Sequence, residues 1–174
     1  MSIHRGQKHL ITGGSGSGKS ILLRALIGFA EIANGRYFYQ NLPMTPECMI
    51  DFHSATGFVP QELDVGRGSV DAWVQEFVPR DAHSLGRFRE QCDFLQLTEH
   101  NLKQDLPQLS RGERQRLTLA LLLTRQPSVL LLDEATSALS AELKEIVADH
   151  CASLDKTTII SVSHDSAWLD HPGF

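Results

Sequence analysis

The fold of this 174-residue chain is decided by one stretch of small residues, Gly13-Gly14-Ser15-Gly16-Ser17-Gly18-Lys19-Ser20. Its spacing fits the pattern G-x-x-x-x-G-K-[ST], in which successive backbone N–H groups converge on phosphates. The helix after such a loop adds its positive N-terminal dipole, Lys19 reaches the β and γ phosphates, and Ser20 faces Mg²⁺. A flexible Gly/Ser turn would need neither that lysine nor the apolar residues on both sides. The stretch therefore predicts a nucleotide-binding loop between a strand and a helix.

A second signal is an apolar run that ends in two carboxylates, Val129-Leu130-Leu131-Leu132-Asp133-Glu134. Such a run is typical of a strand buried on both faces of a parallel sheet. Its carboxylates would emerge at the carboxyl edge of the sheet, where open α/β folds bind ligands. Beside a phosphate-binding loop, we expect Asp133 to hold Mg²⁺ and Glu134 to polarise a water for attack on the γ-phosphate. An acidic start to the next helix is the alternative interpretation of Glu134.

A third segment, residues 109–116, has the sequence Leu-Ser-Arg-Gly-Glu-Arg-Gln-Arg and precedes a leucine-rich helical run. It closely resembles the signature sequence of ATP-binding cassette (ABC) ATPases. Further matches follow in family order: Phe58-Val59-Pro60-Gln61 resembles the Q-loop, Ser137-Ala138-Leu139-Ser140 the D-loop, and Val162-Ser163-His164-Asp165 the switch-histidine segment. The resemblance spans nearly the whole chain, and the joint order of the motifs carries it.

The resemblance implies an α/β fold with a P-loop NTPase (RecA-like) core, a mainly parallel sheet, an inserted helical subdomain and a reduced antiparallel N-terminal subdomain. Only twelve residues precede the glycine-rich loop, so we expect little of the antiparallel part and assign no residue to adenine stacking. A single ABC ATPase domain would fill residues 1–174. Its nucleotide-binding core would be 1–61 and 109–174, and its helical subdomain 62–108.

The resemblance also implies ATP and Mg²⁺ as cofactors. The catalytic residues that it implies are Glu134, His164 and Gln61. The residues implied around the cation are Ser20, Gln61 and Asp133. Glu134 would activate the attacking water, and His164 would steady the γ-phosphate.

The signature segment has two interpretations that are compatible. Ser110-x-x-Glu113 is a capping box that pairs backbone N–H groups at the start of a helix. By resemblance, Ser110 and Gly112 also contact the nucleotide bound to a second cassette, so that two ATP molecules lie between two chains. Two residues depart from the family pattern, because Arg111 replaces a glycine and Ser140 replaces the D-loop aspartate. Despite them, we expect hydrolysis.

The remaining elements follow from periodicity and turn residues. Strands are predicted at 8–12, 37–39, 56–60, 129–132 and 157–162, and helices at 20–33, 70–77, 85–97 and 141–153. The helix at 20–33 is apolar nearly all round, which predicts burial, and Gly35 is expected to end it. Pro43 and Pro46 indicate a loop. The alternation of strands and helices predicts a mainly parallel sheet.

Composition limits the partners. The net charge of −5 and a pI near 5.9 argue against a nucleic-acid surface, so no nucleic-acid partner is expected. The three cysteines are widely spaced and indicate small apolar residues in a reducing compartment. No run approaches the roughly twenty apolar residues that cross a bilayer.

The favoured hypothesis is a subunit that binds and hydrolyses ATP and energises an ABC transporter through cassette dimerisation. Its partners would be a second ABC cassette, as a homodimer or heterodimer, and an integral membrane permease subunit. Its place would be the cytoplasm, peripheral at the inner face of the cell membrane. Two alternatives stay open: a soluble ABC ATPase outside transport, and a nucleotide-binding regulator with little turnover, which Arg111 and Ser140 would favour.

Overall fold

The computed structural model describes residues 2–32, 34–64 and 66–174, which form an α/β fold. In chain order the strands are β1 (Lys8–Ile11), β2 (Phe38–Tyr39), β3 (Leu42–Pro43), β4 (Thr56–Val59), β5 (Val129–Asp133) and β6 (Thr158–Val162). The helices are α1 (Lys19–Leu26), α2 (Pro46–Ala55), α3 (Val70–Phe77), α4 (Ala82–Phe94), α5 (Glu99–Leu102), α6 (Arg111–Arg125), α7 (Ala141–Ser153) and α8 (Ser166–Leu169). A 3₁₀ turn, Leu106–Gln108, precedes α6.

The central sheet has the strand order β1-β6-β5-β4, and every neighbouring pair is parallel. Strands β2 and β3 pair separately as a two-stranded antiparallel sheet. The prediction of an α/β fold with a mainly parallel sheet and a small antiparallel part is therefore confirmed. Each predicted strand of the central sheet lies within one residue of its observed bounds, because its buried apolar run is bordered by clear turn residues.

Helices cover both faces of the sheet. On one face, Leu130, Leu132 and Ile159 are fully buried in a core shared with α6, α7 and α8. On the other, Leu131 and Ile160 pack against α1 and α2 in a second buried cluster. Successive residues of a strand point to opposite faces, so β5 can supply both cores only because nearly all its residues are apolar.

The first helix is shorter than predicted. It ends at Leu26, and Ala33, the predicted end, lies outside the described residues. Gly28 adopts φ 74° and donates its N–H to Ala25, while the next residue donates to the carbonyl of Arg24 at 2.8 Å. These two bonds form a Schellman motif, which ends helices at a left-handed glycine.

Burial of α1 is also narrower than predicted. Ile21 is 62% exposed and Leu22 is 43% exposed, whereas Leu23 is fully buried. The helix therefore has one buried face, and the prediction of burial nearly all round is wrong. Gly35 lies in an irregular segment beyond the helix, so the prediction that it ends α1 is wrong as well.

The loop predicted around the two prolines is replaced by regular structure. Pro43 belongs to β3 and pairs with Phe38. Pro46 opens α2, with Thr45 as the N-cap, whose hydroxyl accepts the N–H of Cys48 at 3.3 Å. Proline is favoured at the first helical position because its missing N–H would be unpaired there. Thr-Pro is therefore a helix start in this chain.

The segment between residues 62 and 108 is helical, as predicted. Helix α3 matches the predicted 70–77, and α4 begins three residues before the predicted 85–97. Asp81 sets this start because its carboxylate accepts the N–H of Ser84 at 2.9 Å. Arg116 of α6 donates to the carbonyls of Leu95 and Gln96, which attaches this segment to the core. The division into core and helical subdomain stays a prediction.

Helix α7 begins and ends where the sequence predicts, at 141–153. None of the helices in residues 2–32, 34–64 and 66–174 combines the length and the apolar character that a membrane crossing requires.

Candidate functional site

All four strands of the parallel sheet lead into predicted site residues. Strand β1 is followed by residues 13–20, β4 by Gln61, and β6 by His164, while β5 ends at Asp133 and continues into Glu134. Because the strands are parallel, their carboxyl ends meet at one edge of the sheet. This edge is where open α/β sheets bind ligands.

The loop of residues 13–20 has the geometry of an anion cradle. Gly16 and Gly18 adopt φ 76° and 92°, which favour glycine, and Gly18 is the N-cap of α1 without a side-chain cap. A Cβ atom added at Gly14, Gly16 or Gly18 would meet no atom within 4 Å. The Lys19 ammonium donates to the carbonyls of Gly13 at 2.7 Å and Gly14 at 2.9 Å. The backbone at these three glycines is therefore open to a ligand.

The Ser20 hydroxyl donates to Oδ1 of Asp133 at 2.9 Å. Asp133 is fully buried, and its Oδ2 has no hydrogen-bond partner among the described residues. Burial raises the pKa of Asp133 above its ordinary 3.8, the charge of Glu134 raises it further, and the Ser20 hydrogen bond opposes both. A buried carboxylate oxygen beside a hydroxyl fits Mg²⁺, which prefers oxygen ligands.

The described residues contain no group of three or more His, Cys, Asp or Glu side chains placed to hold a metal ion. Mg²⁺ is commonly bound by one or two protein oxygens together with phosphate oxygens and water. The pair Ser20 and Asp133 fits that type of site.

The Glu134 side chain has partners other than Ser20 and Asp133. Its backbone has a left-handed φ of 49° and its N–H donates to the carbonyl of Val162 at 2.9 Å. One carboxylate oxygen accepts from the Gln61 amide at 3.0 Å, and the other lies 3.8 Å from Nε2 of His164. His164 is half exposed, whereas Glu134 is mostly buried. Glu134 is thus held between two polar side chains at the open edge of the sheet.

Gln61 is predicted both as a catalytic residue and as a residue near the cation, and its observed hydrogen bond concerns the catalytic side. It donates to Glu134, and no hydrogen bond of the described residues joins it to Ser20 or Asp133. Its contact with the carboxylate is direct, and its role at the cation stays a prediction.

The start of α6 is a capping box, as the sequence predicts. The Ser110 hydroxyl accepts the N–H of Glu113 at 3.2 Å, and Glu113 accepts the N–H of Ser110 at 2.7 Å. Asn101 of α5 donates to the second carboxylate oxygen at 2.7 Å. A Cβ atom on Gly112 would lie 2.8 Å from the carbonyl oxygen of Ala138. Glycine is therefore required at 112 by this chain's own backbone.

The sequence-predicted residues fall into two groups. Residues 13–20, Gln61, Asp133, Glu134 and His164 meet at the carboxyl edge of the sheet. Ser110 and Gly112 form a separate group at the start of α6, and no hydrogen bond of the described residues joins them to residues 13–20. Arg111, the departure from the family pattern, is exposed beside them.

Several side chains near the site carry contacts that the sequence does not indicate. Gln115 of α6 is buried and bonds the segment after β5. Trp168 donates to the Thr136 hydroxyl at 3.0 Å, and Lys144 forms an ion pair with Asp165 at 2.7 Å. For Gln115 the sequence does offer one signal. It lies one helical turn before the fully buried Leu119, so it is a polar residue on the apolar face of α6 and needs buried hydrogen-bond partners.

Comparison with protein families shows to which family of P-loop proteins the chain belongs. Residues 1–137 match the family model described as ABC transporter. The chain belongs to the ABC transporter family. The resemblance carried by residues 109–116 and the flanking motifs is thereby confirmed. Members of this family generally act as ATPases.

Two relatives illustrate the range of the family. The energy-coupling factor transporter ATP-binding protein EcfA1 of Staphylococcus aureus (strain MSSA476) is 32% identical over 176 residues, covering 94% of this chain. The ABC multidrug transporter MDR2 of Trichophyton tonsurans is 33% identical over 178 residues, again covering 94% of this chain. The chain spans 64% of the length of EcfA1 and 13% of the length of MDR2.

Solved structures of ABC proteins have the same fold. A bacterial Atm1-family ABC exporter with ATP bound superposes with a TM-score of 0.80 at 26% identity, covering 96% of this chain and 31% of the exporter. CbiO1 from Clostridium perfringens, part of the ABC transporter complex cbiONQ, superposes with a TM-score of 0.71 at 28% identity. That match covers 95% of this chain and 70% of CbiO1.

Proposed function

We propose that this chain is an ATP-binding and ATP-hydrolysing subunit that energises an ABC transporter through dimerisation of two cassettes. The observation that carries the proposal is that two adjacent carboxylates have different partners. Asp133 is bonded to Ser20 at the glycine-rich loop, and Glu134 is bonded to Gln61 beside His164. The first carboxylate suits a cation, and the second suits an attacking water.

In the proposed reaction, residues 13–20 wrap the phosphates with backbone N–H groups, assisted by the dipole of α1. Lys19 exchanges its bonds to the carbonyls of Gly13 and Gly14 for phosphate oxygens. Ser20 and Asp133 hold Mg²⁺, which supplies charge neutralisation on the phosphates when it is bound. These residues bind and orient the nucleotide.

Glu134 is the proposed general base. Its carboxylate accepts a proton from a water placed in line with the γ-phosphate. His164 would steady the γ-phosphate, since its half-exposed ring lies 3.8 Å from Glu134 at the open side of the site. Gln61 donates to Glu134 and so fixes the direction of the carboxylate.

The site is proposed to be completed by a second copy or a related cassette. Ser110 and Gly112 lie outside the edge where residues 13–20 meet Asp133, so their proposed contact is with the nucleotide of the partner chain. The names of the relatives, transporter subunits and transporters, favour a membrane permease as the second partner. That partner would hold this chain at the inner face of the cell membrane.

Glu134→Gln tests the proposed base. The variant should bind ATP with Mg²⁺ as the wild type does, because no hydrogen bond of the described residues joins Glu134 to residues 13–20. Its turnover should fall by at least about 100-fold, since a general base contributes about 10²- to 10⁴-fold. Glu145→Gln, on the exposed face of α7, is the matched control and should keep full turnover.

The dimer requirement is tested in the same assay. Wild-type turnover per chain should rise with protein concentration, because one chain contributes only part of each site. Wild-type protein that binds ATP but shows no turnover at any concentration would support the regulator instead. Retained turnover in Glu134→Gln would remove the base assignment. Co-purification with a membrane protein, against ribosomes or DNA, separates transport from the soluble alternative.

A further inference from the structure

We propose that Gln115 is a positioning residue that fixes the backbone of residues 134–138, the segment that carries Glu134, to the start of helix α6. The inference rests on the proposed function, because the base to be positioned is Glu134. Its geometric part, the attachment of one backbone segment to one helix, can be tested without any activity.

The Gln115 side chain is 1% exposed, and its hydrogen bonds among the described residues all reach the segment 134–138. Its Oε1 accepts the N–H of Ala138 at 3.0 Å. Its Nε2 donates to the hydroxyl of Ser137 at 3.2 Å and to the carbonyl of Glu134 at 3.4 Å. A buried amide of this kind is costly unless its donors and acceptors are paired. Gln115 is thus specifically matched to this backbone.

Gly112 provides a second, independent contact between the same two segments. The carbonyl oxygen of Ala138 lies only 2.8 Å from the position that a Cβ atom of residue 112 would take, which is closer than such atoms approach. The N–H and the carbonyl of Ala138 are therefore both held against the first turns of α6, one by Gln115 and one by close packing on Gly112.

The other side of this segment is held by the elements near His164. The Glu134 N–H donates to the carbonyl of Val162 at 2.9 Å. The Thr136 hydroxyl accepts from the indole of Trp168 at 3.0 Å, and both side chains are almost fully buried. Glu134 adopts a left-handed φ of 49°, which non-glycine residues hold only when neighbouring contacts enforce it. Gln115 supplies one of these enforcing contacts, since it bonds the carbonyl of Glu134 itself.

The consequence is a mechanical link between the two groups of site residues. No hydrogen bond of the described residues joins Ser110, at the start of α6, to Glu134, after β5. Gln115 connects the helix of the first to the backbone of the second. A displacement of α6 would move the carboxylate of Glu134. Small displacements of a catalytic group lower the rate steeply, by about 100-fold for 1 Å.

Gln115→Met tests the link, because methionine fills a similar volume and cannot form the three hydrogen bonds. We expect kcat to fall by at least about tenfold while the KM for ATP stays within about threefold, since the hydrogen bonds of Gln115 among the described residues go to residues 134–138 and not to residues 13–20. Thr124→Val is the matched control. Thr124 is an equally buried polar residue of α6, but its hydroxyl bonds only the carbonyl of Ala120 in its own helix. It should keep kcat within about twofold.

Hydrogen exchange of the Ala138 amide, measured by NMR on the full chain, is the readout that needs no turnover. It should be faster in Gln115→Met than in the wild type or Thr124→Val, because the acceptor of that N–H is lost. If Gln115→Met does not fold, Ser137→Ala is measured instead. Ser137 is exposed, and this substitution removes the hydroxyl that accepts one hydrogen bond from Gln115. Exchange at Ala138 should be faster in this variant too.

The outcomes separate the two proposals. Unchanged exchange at Ala138, or an unchanged kcat in folded Gln115→Met, would overturn the role of Gln115. A kcat loss matched by an equal rise in KM would also overturn it, since positioning of Glu134 acts on turnover. If the wild type itself shows no turnover, the proposed function fails, and the exchange rates still decide whether Gln115 fixes the segment.

Discussion

Helices α1 and α6 both begin at segments that the sequence assigns to the nucleotide, but their first turns are built differently. Gly18, the N-cap of α1, has a left-handed φ of 92° and no side chain to cap the backbone. Ser110, the N-cap of α6, has its hydroxyl and its N–H both paired with Glu113. Asn101 adds a third hydrogen bond to that carboxylate. The start of α1 offers its backbone donors to a ligand, and the start of α6 pairs two of its own.

Under the proposed function both helix starts contact phosphate, and the difference then means that they do so in two ways. The loop before α1 requires glycines, because its N–H groups must converge on the ligand. The start of α6 is paired within its own chain by the capping box, and in the proposed dimer it would meet the partner's ligand as a preformed surface. Substitutions at the first helix should therefore affect ligand binding, and substitutions at the second should affect stability and turnover.

The largest expected effect is on ATP affinity in Lys19→Ala. The dissociation constant should rise by about 10- to 100-fold, because hydrogen bonds to charged groups contribute about 1.5–3 kcal/mol. Ser110→Ala should leave the affinity of the single chain within about threefold. Titration with a fluorescent ATP analogue at constant Mg²⁺ measures both, and Lys156→Ala, an exposed lysine before β6, is the control. Equal losses in Lys19→Ala and Ser110→Ala would contradict the comparison.

A smaller effect is expected on stability, with the order of the two helices reversed. Ser110→Ala should lower the free energy of unfolding by about 1 kcal/mol, because it removes a helix N-cap. Ser17→Ala, in the loop before α1, should change it by less than about 0.5 kcal/mol, since α1 has no side-chain cap. Urea unfolding without nucleotide checks both variants. A larger loss in Ser17→Ala than in Ser110→Ala would reverse our interpretation.

The smallest effect is on the pH dependence of stability. The hydrogen bonds of Ser110, from its side chain and then its backbone, hold the pKa of Glu113 below its ordinary 4.5, with smaller contributions from Asn101 and Arg116. A carboxyl with a lowered folded pKa gives stability that is present above pH 4.5 and lost as the pH falls through the folded pKa.

Glu113→Gln should therefore lose less stability than the wild type as the pH falls below 4.5. The slope of its unfolding free energy against pH should be shallower by the equivalent of a fraction of a proton taken up on unfolding. Urea unfolding at a series of acidic pH values measures the slope. Glu145→Gln, on the exposed face of α7, is the control for loss of one carboxylate. Identical slopes in Glu113→Gln and the wild type would mean that the capping carboxylate does not titrate as we expect.

Most of the parallel sheet and its site edge could be predicted because the information is local. The glycine-rich loop, the run before Asp133 and the segment around His164 each lie next to a buried apolar strand. Parallel pairing then brings their ends together without further information. The capping box at Ser110 was also local, since its two partners are three residues apart.

The errors arose where two local signals competed. The apolar run after Ser20 continues beyond Gly28, but a left-handed glycine with a Schellman motif ends α1 there. Pro46 by itself favours a loop, but together with Thr45 as the N-cap before it, it begins a helix. Gln115 could not be assigned from sequence, because its partners are 19 to 23 residues away along the chain.

The most direct test of the account mixes two inactive variants. Lys19→Ala disables the loop before α1, and Ser110→Ala disables the start of α6. If each site combines the loop of one chain with Ser110 of the other, each mixed dimer contains one intact site. An equimolar mixture should then recover about a quarter of wild-type ATP turnover, because about half of the dimers are mixed. Turnover that stays at the level of the separate variants would contradict a site shared between two chains.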